Sequence, residues 1–328
     1  MNRRMAWLLG ALLLCLGSGG AGAEEKLTYN QSWLPQGSQI GPIVALSKGW
    51  FREAGLDVTI VRGYGGQRTA NELDQGQFEI GYVDPISLVL TRSNGGHIRL
   101  VGAINTQWPA SICALTERFQ LQSIEDLKGR VLGGGASSPV HNVVPAWLEL
   151  NGKPRDFIRL VRLDPAVIPT SLIEGKIDLV ECWKGSDRPV MVNQAAKAGM
   201  KVNWLSLAEN KLDAYGSGFA VSEDTLAKRG DAVRSFLRAA YRGYEFAIAQ
   251  PAEAADLLVK MYPLVDRQIA LDQIREISEQ IQDPAARGNG LGFLRAERMK
   301  STLAFVDRAF DLKGKVAVED MYSNAFLR

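Results

Sequence analysis

Residues 31–60, QSWLPQGSQIGPIVALSKGWFREAGLDVTI, limit what the chain can fold into more than any other stretch. They read as the end of a strand, a polar turn carrying Trp33 and Gln36, a helix over 42–53 stopped by Gly55, and a second strand opening at Leu56. Ile43, Val44, Leu46 and Phe51 give that helix one apolar face. Strand, helix and strand in immediate succession form the unit of a parallel sheet covered by helices. In such sheets ligands sit in the crevice at the carboxyl ends of the strands. Trp33 and Gln36 are therefore candidate walls of a site.

The alternation continues through strands at 78–83 and 98–104, with a helix after Asp84-Pro85. From Trp108 the rhythm restarts, with strands at 111–116, 130–133, 156–162, 177–180 and 202–205. Residues 215–221 then read as a crossing strand, and the remainder is helical. A chain of about three hundred residues exceeds one ordinary core. The pattern predicts an α/β protein of two lobes, each a doubly wound sheet flanked by helices. Residues 24–108 and 216–328 form one lobe and 109–215 the other, and the crossings at 105–110 and 207–218 serve as a hinge.

Residues 1–23 carry Arg3 and Arg4, an apolar run over 6–16, and Ala21-Gly22-Ala23 before Glu24, the pattern of a cleaved secretory signal. The run is short of the ~20 residues that span a bilayer. The chain has 38 Lys+Arg against 36 Asp+Glu, and the leader holds two of those arginines, so 36 against 36 remain. A neutral protein has no electrostatic footprint for nucleic acid. Cys113 and Cys182 remain after the leader, in a compartment where a pair can bond. Spacing does not give their separation, and two buried free thiols are the favoured state.

Gly133 to Pro139, GGGASSP, is a candidate anion site through Ser137, Ser138 and the first amides of the next helix. The same serine equally well caps that helix. No Gly-Lys-Ser/Thr follows, so it is not a P-loop. Trp33, Tyr82, Trp108, Trp183 and Tyr215 fall at strand ends or crossings, placed to sandwich a flat ligand, although any one of them can instead pack the core. Asp84, Asn105, Gln107, Glu181 and Lys184 are candidate polar contacts. Asp84 before Pro85 can serve as a helix cap, and Lys184 can pair with Glu181 or Asp187. Glu181 follows the apolar run IDLV, where a partly desolvated acid would accept from ring or amino N–H groups. The two histidines, His97 and His141, lie in no zinc motif, and no G-x-S-x-G occurs, so neither a metal site, a cofactor nor a catalytic residue is expected.

KGWFREAGLDV, then GYGGQRTANELDQGQFEIGYVDP at 63–85, DLKGRVLGGGASSP at 126–139 and the closing EDMYSNAFLR resemble, in that order, the periplasmic solute-binding proteins of ABC importers. The resemblance is to the group handling nitrate, taurine, alkanesulfonates and thiamine pyrimidine precursors (NMT1/THI5-like), and it covers nearly the whole chain after residue 23. It implies a two-lobed periplasmic binding protein fold of type II, a monomer in the periplasm, a small-molecule ligand, and an ABC permease with its ATPase as partner. The aromatic lining favours a flat heterocycle or an aromatic acid, with a thiamine pyrimidine precursor as the leading example. An oxyanion such as a sulfonate, taurine or nitrate is the alternative if Ser137 and Ser138 dominate the site. A fungal branch of the group synthesises the pyrimidine with a CCCFC run and a histidine after the first strand; here residues 36–40 hold no histidine and no cysteines cluster, which implies a binder. A ligand sensor acting through a separate receptor is a further alternative.

Overall fold

The structure, a computed structural model, describes residues 24–135, 138–164 and 167–327. The leader at 1–23 and Ser137 lie outside these residues. The first sheet contains β1 (Glu25–Asn30), β2 (Leu56–Val61), β3 (Ile80–Val83), β4 (Ile98–Ala103) and β10 (Gly218–Ser222), in the order β2-β1-β3-β10-β4. The second contains β5 (Ala110–Leu115), β6 (Val131–Gly135), β7 (Arg159–Leu163), β8 (Leu179–Trp183) and β9 (Val202–Ser206), in the order β7-β6-β8-β5-β9. Within each sheet the βαβ strands pair in parallel, β2-β1-β3 and β7-β6-β8. The strands at the crossings run the other way: β10 is antiparallel to β3 and β4, and β5 to β8 and β9. Strand β10 returns from the second sheet and inserts between β3 and β4, which its fully buried sequence GFAVS permits.

Helices α1 (Ile40–Ser47), α2 (Trp50–Glu53), α3 (Gly66–Asp74) and α4 (Pro85–Ser93) belong to the first sheet, and α5 (Val140–Leu150), α6 (Ile168–Glu174) and α7 (Asp187–Lys197) to the second. The return brings α8 (Glu223–Ala249), α9 (Pro251–Met261), α10 (Arg267–Gln280), α11 (Ala296–Phe310) and α12 (Val318–Met321). The single helix expected over 42–53 is two, because Gly49 takes a left-handed φ of 76° and turns the chain between α1 and α2. Tyr29, Phe51, Phe219, Phe236 and Tyr244 fill the core under α1 and α8. A second apolar cluster runs from one sheet to the other, with Met299 and Val306 of α11 in the same body as Val143 and Trp147 of α5. The strand expected from 215 opens only at Gly218.

Cys113 and Cys182 form a disulfide with a Cα separation of 6.0 Å, which corrects the expectation of two free thiols. The cause is register. Strand β5 pairs Cys113 with Val180 and Ser111 with Cys182, so both cysteines share one face one step apart, an adjacency that a sequence separation of 69 conceals.

Candidate functional site

Strand β8 alternates across the second sheet, sending Cys182 into the disulfide and Glu181 and Trp183 to the opposite face. The Ser138 hydroxyl donates to Glu181 at 2.5 Å and accepts the Val140 amide at 3.2 Å, so this serine both meets the acid and supports the start of α5. Burial raises Glu181 from the usual carboxylate range to about 7; the Ser138 bond works against the rise and the charge of Asp187 adds to it. Asp187, in the first turn of α7, accepts the Trp183 amide at 2.7 Å. It too is raised, to about 6, mainly by desolvation, although its side chain keeps solvent contact. The Trp183 ring leans on Trp108 with centroids 5.3 Å apart, and Trp108 is itself buried in the crossing.

On the first sheet, the Tyr82 hydroxyl donates to Asn105 Oδ1 at 2.8 Å, and Asn105 Nδ2 donates to Gln280 Oε1 at 2.5 Å. Burial is the chief reason Tyr82 is pushed up to about 12. Asp84 caps α4, accepting the Ser87 amide at 2.9 Å and its hydroxyl at 2.7 Å. Trp33 stays 43% exposed in the turn that follows β1. Gln36 lies in the same turn, its Oε1 accepting the Ser186 hydroxyl at 3.1 Å while its Nε2 donates to Ser38 at 3.0 Å. Lys184 pairs with Glu279 at 2.6 Å rather than with Glu181 or Asp187. Gln107, Trp108 and Lys184 line, with Arg188, Trp204 and Gln280, a cavity of about 450 Å³ beside the crossing. Tyr215 is buried just before β10, where its hydroxyl accepts the Arg295 amide at 2.6 Å.

Helix α10 was not singled out from sequence, yet it joins the lobes. Gln273 accepts the Gly37 amide at 2.9 Å and donates to the Ser186 carbonyl at 2.7 Å. Glu276 accepts the Gly185 amide at 2.6 Å and the Arg188 guanidinium at 2.9 and 2.7 Å. The one signal was Gln273 standing in an otherwise apolar stripe of Ala270, Leu271, Ile274 and Ile277. The bond from the Trp183 amide to Asp187 is likewise not legible in sequence, since an acid in a first helical turn reads as a dipole partner.

Among the described residues no group of His, Cys, Asp and Glu is arranged to hold a metal ion, and no helix is long and apolar enough to cross a membrane. Ser138, Glu181, Trp183 and Asp187 thus gather at the carboxyl end of β8.

A family model described as NMT1/THI5 like matches residues 36–254. Riboflavin-binding protein RibY of Chloroflexus aurantiacus is 25% identical over 92% of this chain and 86% of its own. The formylaminopyrimidine-binding protein of Halalkalibacterium halodurans is 22% identical over 92% and 91%. The 4-amino-5-hydroxymethyl-2-methylpyrimidine phosphate synthase THI13 of Saccharomyces cerevisiae is 21% identical over 76% and 75%. Among solved structures, the periplasmic aliphatic sulphonate binding protein SsuA of Escherichia coli superposes with a TM-score of 0.71 over 90% of this chain and 91% of that one, at 18% identity. The two mixed sheets flanked by helices are thus the type II periplasmic binding protein fold.

Proposed function

The chain belongs to the NMT1/THI5-like family, and we propose that it is the periplasmic substrate-binding component of an ABC importer, exported by its leader, which captures a small flat heterocycle bearing N–H donors. Residues 24–108 and 216–328 act as one jaw and 109–215 as the other, and the cargo-bound closed form is what the permease recognises. Cargo shifts the lobes toward closure only by binding that form better.

One observation supports the choice of cargo: Glu181, near the carboxyl end of β8, carries a carboxyl group that burial pushes up to about 7. An acid held this way gains when a ring or amino N–H replaces the water it has lost. In its ionised form it would repel an oxyanion placed beside it. The relatives named for binding riboflavin and a formylaminopyrimidine agree with a heterocyclic cargo, while the sulphonate-binding neighbour shares the fold alone.

Thermal shift of the chain from Glu24 against riboflavin, 4-amino-5-hydroxymethyl-2-methylpyrimidine and taurine tests the reading. Cargo at a hundred times its Kd stabilises by about 2.7 kcal/mol. A shift with one of the heterocycles and none with taurine is expected; a shift with taurine alone overturns it.

A further inference from the structure

The cavity of about 450 Å³ beside the crossing is separate from the Glu181 site: none of Ser138, Glu181, Trp183 and Asp187 lines it. Register gives the reason. Ser111 pairs with Cys182 and with Ser206, and Cys113 pairs with Trp204, so Ser111, Trp204 and Ser206 stand on the face of the second sheet that holds the disulfide. Glu181 and Trp183 take the other face. One wall of the cavity is therefore the disulfide face with Arg188 of α7, and the opposite wall is the end of α10 with Glu279 and Gln280.

The buried lining holds donors that the protein leaves unused. Ser111 and Arg188 both line the cavity, at 3% and 7% exposure. Arg188 commits Nε and Nη2 to Glu276, and among the described residues neither its Nη1 nor the Ser111 hydroxyl has a hydrogen-bond partner. Neither atom is sealed from solvent, so each opens on the cavity. The Ser206 hydroxyl accepts the Glu209 amide at 3.3 Å and keeps its own proton to give. The acids are placed differently. Glu276 is occupied by Arg188 and the Gly185 amide, while Glu209 is exposed and Glu279, which holds Lys184 at 2.6 Å, has a side chain 70% exposed, where water screens its charge. Trp204 adds apolar ring surface: it is 43% exposed, with Arg188 over the ring at 4.4 Å.

We infer that this cavity is a second ligand site, which takes a small carboxylate with a flat apolar body. The carboxylate accepts from Arg188 Nη1 and the Ser111 hydroxyl, and the body lies against Trp204. Gln107, Trp108 and Lys184, which read in sequence as cargo contacts, serve this second site instead. A molecule held there touches both the second sheet and α10, so its occupancy is coupled to their relative position. The site stands whatever binds beside Glu181.

The test titrates benzoate and benzamide calorimetrically into the chain from Glu24 and into its Ser111→Ala, Arg188→Lys and Glu181→Gln variants. Benzoate binds the parent about tenfold more tightly than benzamide, because the neutral amide brings no charge to the guanidinium. Ser111→Ala, whose lost hydroxyl held nothing in the protein, unfolds at the parent's temperature yet binds benzoate about tenfold less tightly. Arg188→Lys keeps a cation for Glu276 but gives up the guanidinium fork, with a loss at least as large. Glu181→Gln, on the far face of the sheet, leaves benzoate affinity unchanged. Parent protein that binds neither probe, or that binds benzamide as tightly as benzoate, overturns the carboxylate site. Benzoate affinity that survives both Ser111→Ala and Arg188→Lys overturns it too, and a loss in Glu181→Gln instead puts the molecule beside Glu181.

Discussion

The Ser138 hydroxyl donates to Glu181 at 2.5 Å, joining the turn after β6 to the end of β8. A serine has one proton to give, and here the protein's own acid takes it, so the hydroxyl faces any cargo as an acceptor. The turn that most resembles an anion cradle in sequence is in this respect set against anions. In the proposed reading Glu181 and Ser138 together accept hydrogen bonds from the cargo.

Glu181 is raised to about 7 from an ordinary value of 4.5, so the folded chain holds this proton to higher pH than the unfolded one. The stability it contributes is therefore complete below about 4.5 and is lost as pH rises through about 7. Glu181→Gln is expected to flatten the fall in melting temperature across that window and to melt higher than the parent above it. Affinity for a donor-bearing cargo runs the other way, rising as Glu181 ionises, and loses this rise in the variant. Parallel pH profiles for parent and variant would show that Glu181 does not titrate here.

Trp33 and Trp183 are expected to part company on replacement by alanine. Trp33 is 43% exposed and packs little, so Trp33→Ala leaves unfolding within about 0.5 kcal/mol of the parent and weakens cargo binding. Trp183 leans on the buried Trp108, so Trp183→Ala opens a gap in the crossing and costs roughly 2–3 kcal/mol as well as affinity. Denaturant melts with titrations on the same samples decide it. Equal melts for the two variants would mean the ring contact carries no weight.

The parts of this molecule that the sequence makes legible are local. Strand and helix periods mark the βαβ units around Trp33, the Asp84-Pro85 cap and the apolar run before Glu181, because each is written in consecutive residues. The choice between core and cleft for an aromatic is decided across the chain: Trp108 and Tyr215 look as placed for ligand as Trp33 until α11 and the crossings cover them. The disulfide and the α10 contacts are hidden for the same reason, since Cys113 meets Cys182 and Glu276 meets Arg188 only once two sheets have formed.

Glu276 holds the lobes together more than any other single side chain of α10, and its removal strands a cation. Arg188 is 7% exposed, with one face on Trp204 at 4.4 Å and its donors on Glu276. Glu276→Ala is expected to destabilise by about 3 kcal/mol, because an uncompensated buried charge remains. Glu276→Gln, which can still accept from the Gly185 amide, should lose less. Small-angle scattering of unliganded Glu276→Ala is expected to give a larger radius of gyration than the parent; an unchanged radius would remove α10 as the clasp.

The Cys113–Cys182 bond stitches β8 to β5, the first strand past the crossing, on the face of the sheet away from Glu181. It therefore fixes the strand that carries the acid without touching the site. In the chain-entropy account, closing 69 residues of separation stabilises the fold by restricting the unfolded chain, typically by about 2–4 kcal/mol. The double variant Cys113→Ala/Cys182→Ala is expected to lose stability in that range while cargo affinity stays within about twofold of the parent. Thiol counting on the unfolded, unreduced chain from Glu24 should find no free thiol. Two titratable thiols would restore the free-cysteine state, and a large loss of affinity in the double variant would mean that the bond sets the position of Glu181 itself.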